Sequence, residues 1–288
     1  MTTQLTPPPV SQPTPTVTPA PQTDTARTGT RALSITIAVL GAGALVLGGL
    51  ATAFGTVRQA TSPDPVAQSV SGVSGVQGID VDVSAGDLRI EFSGSEVTLV
   101  STGESGWTPE RDGDRIEVSS PDDPFDLGFD WLWNDADRSA TLTLPAALEG
   151  ADLDIDLSAG RVIAEGEFGA TTFEMSAGGI ELEGSAETLD GSVSAGHAIV
   201  ELADVREVDI DLSAGHLQGQ LSGEAPERVG IGVSAGSLDL RLPDVPYAVR
   251  DDSGAGELHL NNLQEDSGAP RQIDVRVAAG EVDLRAGG

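Results

Sequence analysis

From Val208 to Leu217 the chain reads VDIDLSAGHL, in which Val208, Ile210 and Leu212 alternate with Asp209 and Asp211 before Ser213-Ala214-Gly215. Period-two alternation predicts a half-buried β-strand, with the aliphatics facing in and the carboxylates out. The same pattern runs through Leu153, Ile155 and Leu157 with Asp152, Asp154 and Asp156 between them, and through Val81 and Val83 with Asp80 and Asp82. Ser-Ala-Gly or a near variant recurs eight times, ending at Gly86, Gly160, Gly178, Gly196, Gly215, Gly236, Gly256 and Gly280. From the second copy onward the steps are 18, 18, 19, 21, 20 and 24 residues, a near-constant period that predicts stacked repeats.

The phase of the pattern changes at each glycine. Three residues before it stand Val83, Leu157, Met175, Val193, Leu212, Val233 and Val277, interrupted only by Ser253; two residues after it stand Leu88, Val162, Ile180, Ala198, Leu217, Leu238, Leu258 and Val282. These columns are an odd number of residues apart, so one straight strand cannot turn both to the same face. A corner at Ala-Gly must reset the register, and glycine permits the backbone angles it needs. The expected fold is mostly β: a parallel β-helix or β-solenoid-like stack of about eight Ser-Ala-Gly rungs, spaced ~4.8 Å apart, over residues 77–288. A propeller is disfavoured because its repeats run to ~40 residues.

The first two glycines are 74 residues apart, so an irregular insertion is expected around residues 93–150. Strand-like runs persist within it at 96–100, 115–118 and 140–144. Between them lies PDDPFDLGFDWLWNDADR, residues 121–138, and all three tryptophans, Trp107, Trp131 and Trp133, fall in the interruption. Phe125, Phe129, Trp131 and Trp133 sit among six aspartates there, a mixture suited to an exposed partner-binding surface. The alternative is that the rings fold back to cap an open end of the stack, as terminal rungs require.

The N-terminal portion has a different character. Residues 1–31 are rich in Pro, Thr and Gln and are expected to be a disordered tail. Residues 32–57, ALSITIAVLGAGALVLGGLATAFGTV, carry no charge and are long enough for one transmembrane helix. Arg27 and Arg31 before the span, and the acidic chain beyond it, favour a cytoplasmic N-terminus and an extracytoplasmic C-terminal domain. Ala51-Thr52-Ala53 has the shape of a cleavage site, but the proline-rich leader and the length of the apolar run favour an uncleaved single-pass anchor in the cell membrane. Residues 58–76 are expected to be a Pro, Ser and Gly linker.

Composition narrows the function classes. There is no cysteine and no lysine; 15 arginines face 46 carboxylates, for a net charge of −31. The first 58 residues hold three arginines and a single carboxylate, Asp24, so the remainder carries about −33. Such a surface argues against nucleic-acid binding, since nothing would neutralise phosphates.

Phrases such as VSAGDLRI, DLSAGRV, SVSAGHAIV and VSAGSLDL behind a single N-terminal span resemble the bacterial putative-adhesin family of β-strand-repeat domains, whose fold has been called a toastrack. The resemblance covers roughly residues 77–288. It implies an envelope-associated, non-catalytic domain whose relatives occur in cell-envelope stress systems, and it brings no catalytic motif.

The residues themselves offer little catalytic chemistry. Asp152, Asp154 and Asp156, or Asp209 and Asp211, supply oxygen ligands for a hard cation such as calcium, but without an EF-hand's glycine and terminal glutamate; a solvated acidic face is the simpler reading. His197 and His216 occupy the same place in adjacent rungs, with Arg161 and Ser237 at the flanking equivalents, which fits an exposed turn position better than a metal pair. The carboxylates are spread over every rung instead of paired in one cleft, so no catalytic residue, cofactor or metal site is expected. The expected function is a membrane-anchored envelope binding or scaffold domain with an extracellular or envelope protein or glycan as ligand. The alternatives are a sensory or regulatory component of an envelope-stress system, and a surface protein with weak divalent-cation binding.

Overall fold

The computed structural model describes residues 65–102, 106–121 and 138–287. The expected tail, the apolar span 32–57 and Phe125, Phe129, Trp131 and Trp133 lie outside the described residues. Among those described, no helix is long and apolar enough to cross a membrane.

Nineteen strands are described. In chain order they are β1 (Val66–Val70), β2 (Gly78–Val83), β3 (Gly86–Phe92), β4 (Val97–Ser101), β5 (Thr108–Asp112), β6 (Arg115–Ser119), β7 (Ser139–Leu144), β8 (Asp152–Leu157), β9 (Gly160–Met175) and β10 (Gly179–Val193). They continue as β11 (His197–Ala203), β12 (Glu207–Leu212), β13 (His216–Ser222), β14 (Arg228–Val233), β15 (Ser237–Pro243), β16 (Ala248–Asp251), β17 (Glu257–Asn261), β18 (Gln272–Val277) and β19 (Glu281–Gly287).

Each rung contributes one strand before its corner and one after it, building two parallel ladders. The first runs β6, β2, β8, β9, β10, β12, β14, β18, β16. The second runs β7, β3, β9, β10, β11, β13, β15, β19, β17. Strands β9 and β10 are long enough to take part in both. The fold is therefore mostly β and solenoid-like, as the repeat spacing predicts.

Both predicted columns face the core. Val83, Leu157, Met175, Val193, Leu212, Val233 and Val277 are no more than 2% exposed, and Leu88, Val162, Ile180, Ala198, Leu217, Leu238 and Val282 no more than 1%. The reversal between them happens at the glycine, whose φ lies between +111° and +139° in the six rungs from Gly86 to Gly236 and at Gly280. A second constraint acts there. The carbonyl of one corner glycine accepts the N–H of the residue after the next, as from His197 to Gly178, His216 to Gly196 and Ser237 to Gly215, each 3.0 Å. That carbonyl fills the space where a Cβ on the next glycine would stand. Stacking at strand spacing thus excludes a side chain from each position of the column that has another rung's carbonyl beneath it.

The structure corrects the sequence reading in three places. The strand-like runs of the stretch around 93–150 are β4, β6 and β7, as expected, but they belong to the stack instead of interrupting it: β6 and β7 form a ninth rung outside β2 and β3, and β4, β1 and β5 add antiparallel strands at that end. Spatial order also departs from chain order at the other end, where β18 and β19 pack directly on β14 and β15, and the earlier β16 and β17 lie outside them. This outer rung holds the two exceptions to the buried columns, Ser253 and Leu258, both only partly buried. A rung with one uncovered face has no use for a complete aliphatic pair. Finally, Val66–Val70, within the stretch expected as a linker, forms β1, and Val70, Val73 and Val76 pack on the core.

One large aromatic side chain closes each end. At the β6–β7 end Trp107 is 0% exposed, with its ring 3.4 Å from the Cβ position of Gly86 and its carbonyl accepting from Gln68 Nε2 at 2.7 Å. At the β16–β17 end Tyr247 is also 0% exposed, and its hydroxyl donates to the Pro243 carbonyl at 3.2 Å. Burial pushes the Tyr247 phenol up to about 12.

Candidate functional site: a polar groove on the second ladder

The residues singled out from sequence fall in different places. Phe125, Phe129, Trp131 and Trp133 belong to a segment whose flanks alone are described, and those flanks are informative. In the β6–β7 rung, Ser120 follows Ser119, the partner of Asp82, and so stands beside Val83 in the inward column, while Arg138 precedes Ser139, the partner of Asp87, and so takes the place of the corner glycine. Ser120 Oγ accepts the Ser84 N–H at 2.8 Å, and the Arg138 carbonyl accepts the Asp87 N–H at 3.1 Å, the role a corner glycine plays elsewhere. The aromatic and acidic segment is thus inserted at the corner of the ninth rung.

The aspartates of the first ladder point outward in register, as expected: Asp80 beside Asp154, and Asp190 beside Asp209. Burial, then the nearby charges of Asp80 and Asp156, raises Asp154 from its ordinary value. Burial, then Asp209 and Asp211, does the same to Asp190. Arg115 answers part of this charge, donating from Nε to Asp80 Oδ1 at 2.6 Å, and that bond raises its own pKa. His197 and His216 are in register but engage different neighbours: the His197 ring lies over Gly179, and His216 Nδ1 is 2.8 Å from Ser237 Oγ. Among the described residues no three His, Asp or Glu side chains gather as a metal-holding group.

The second ladder carries a feature that the sequence reading missed. Along its outer surface one register line runs Glu91, Glu165, Glu183, Glu201, Gln220, Arg241, Arg285, Asn261. Four carboxylates give way to an amide, two guanidinium groups and another amide. A parallel line places Gln218, Asp239, Asp283 and His259 side by side. Where the sign changes, Glu201, Gln218, Gln220, Asp239, Arg241 and Arg285 line a groove of about 320 Å³ over the backbone of Gly219 and Leu240.

The two arginines are not equivalent. Arg285 Nη2 pairs with Asp239 Oδ1 at 2.8 Å and lies 3.6 Å from Asp283 Oδ2, while Asn261 Nδ2 donates to Asp283 Oδ1 at 2.7 Å. Arg241, its register neighbour, is exposed and makes no ion pair with another described residue. Like charges directly across adjacent strands repel, and Arg285 is neutralised locally while Arg241 is not. The groove therefore offers one uncommitted guanidinium fork among amides and carboxylates. The signal lies five residues after each corner glycine, a position that the core columns give no reason to inspect.

No family model matches the chain, and no curated protein matches it. Among solved structures it is similar to a putative cell adhesion protein from Clostridium sporogenes, at 12% identity and a TM-score of 0.36 over 78% of this chain and 100% of that one. It is also similar to a putative adhesin from Bacteroides fragilis, at 12% identity and a TM-score of 0.31 over 77% of this chain and 97% of the other. A third, a putative adhesin from Parabacteroides distasonis, shows 10% identity and a TM-score of 0.28 over 77% and 97%.

Proposed function

We propose that the chain is a non-enzymatic binding or scaffold module of the cell envelope, held by a single membrane span at residues 32–57 with its β-stack outside the membrane. The observation that carries this reading is the sign change along the outer line of the second ladder. The rungs between the two ends use their inward positions for the same aliphatic packing, so outward positions are free to differ, and on a domain of about −33 four successive rungs replace carboxylates with Gln220, Arg241, Arg285 and Asn261. A rigid register then holds Gln220, Arg241 and Arg285 over a groove, as a small ligand site requires. The charge-free run and its arginine flanks support the anchor.

Protease treatment of intact cells expressing the full chain tests the placement. Externally added protease should remove the β-stack and leave a membrane-bound N-terminal fragment. Full protection in intact cells, with digestion only after lysis, would overturn the reading.

A further inference from the structure

We infer that the groove binds an acidic saccharide carrying isolated carboxylates, a uronate within a chain of neutral sugars, with Arg241 holding the carboxylate. The inference deepens the binding-module reading and rests on it. Arg241 is the starting point: its guanidinium is exposed, stands in register beside Arg285, and makes no ion pair among the described residues, whereas Arg285 is held by Asp239. A planar fork with free donors recognises a carboxylate through two parallel hydrogen bonds.

The surroundings decide what else the ligand carries. Gln218 and Gln220 each offer an amide donor and acceptor, and Glu201 and Asp239 are acceptors at the groove wall. Such a set suits hydroxyl groups, which both donate and accept. It disfavours a densely charged polyanion, because Glu201, Asp239 and Asp283 would repel every charge beyond the one that Arg241 neutralises, and the domain's overall field adds to the repulsion. A volume of about 320 Å³ lies at the small end of ligand pockets and suits a short saccharide.

Calorimetric titration of the full-length chain in mild detergent with glucuronosyl-xylotriose provides the test, with xylotetraose as the neutral comparator and triglutamate as the acidic peptide. Binding of the glucuronosyl compound is expected, with both comparators at least about tenfold weaker. Arg241→Gln should lose about tenfold or more, and Arg241→Lys, which keeps the charge without the fork, should fall between it and the parent. Gln218→Ala should lose a few-fold. Arg228→Gln, which removes an exposed pair with Glu207 on the other ladder, should bind as the parent does. Thermal unfolding of each variant checks that lost binding is not lost fold. No binding of the glucuronosyl compound, parental binding by folded Arg241→Gln, or equal binding of triglutamate would each overturn the assignment. A β-stack that external protease reaches but that binds no uronate leaves the envelope reading standing and removes only the ligand.

Discussion

The carbonyl oxygen of Gly178 stands where a Cβ on Gly196 would have to be, well inside 3.0 Å, a separation that real Cβ atoms do not reach. Gly196 also has φ of +121°, so alanine there meets two penalties at once, a disfavoured backbone and a collision with the rung below. Gly113 isolates the first: its φ is +61° and nothing lies within 4 Å of its Cβ position. Gly113→Ala should cost about 1 kcal/mol, and Gly196→Ala more than about 3 kcal/mol. Thermal unfolding followed by circular dichroism measures both. Equal losses would mean that the carbonyl column plays no part in requiring glycine.

The corner itself was legible because two core columns of opposite phase meet at Gly86, Gly160 and their equivalents, and only a reversal there can bury both. Rung order was not legible, since Gly236, Gly256 and Gly280 end the same phrase or near variants of it and a stack can take them in any order that its loops allow. A hint lay in the weaker rung, where Ser253 breaks one column, yet only the pairings show that this rung is outermost. The groove escaped notice for a different reason. Burial constrains the inward residues to repeat, so a pattern search finds them, whereas Gln220, Arg241 and Arg285 are informative because they break a repeat of glutamates on the outer surface.

Rung order can be checked by crosslinking, because the chain has no cysteine of its own. Ser237 pairs in register with Glu281, which in turn pairs with Glu257. Parallel neighbours lie ~4.8 Å apart, within the ~4.4–6.8 Å window for Cα atoms of a disulfide, and a partner two strands away does not. Mild oxidation should therefore join the Ser237→Cys/Glu281→Cys pair and leave Ser237→Cys/Glu257→Cys as free thiols. Electrophoresis under non-reducing conditions, with thiol counting, reads the result, and the opposite pattern would place the rungs in chain order.

Asp154 and Asp190 govern a response to acid. Both are raised in the folded state, chiefly by burial and then by neighbouring carboxylates. A carboxylate raised on folding contributes stability that is full below its unfolded pKa and is lost as pH rises through its folded value. The affected window begins at the ordinary value of 3.8 and extends above it. Asp190→Asn should raise the unfolding temperature at pH 7, and this advantage over the parent should shrink as pH falls through the window. Added salt should narrow the difference by screening Asp209 and Asp211. A variant less stable than the parent at pH 7 contradicts the assignment.

Trp107 lets the energetics of an end cap be separated from those of the stack. It is wholly buried at the β6–β7 end, and its Nε1–H has no hydrogen-bond partner among the described residues. Trp107→Ala removes a large ring from a packed end and should cost about 3–5 kcal/mol. Trp107→Phe also loses volume, but it removes a buried donor whose desolvation costs about 1–3 kcal/mol when unpaired, so its net change should stay within about 1 kcal/mol of the parent. Guanidinium unfolding of the two variants distinguishes packing from polarity. If phenylalanine proves as damaging as alanine, the indole N–H has a partner in solution and the ring is held by a hydrogen bond as well as by the rung it covers.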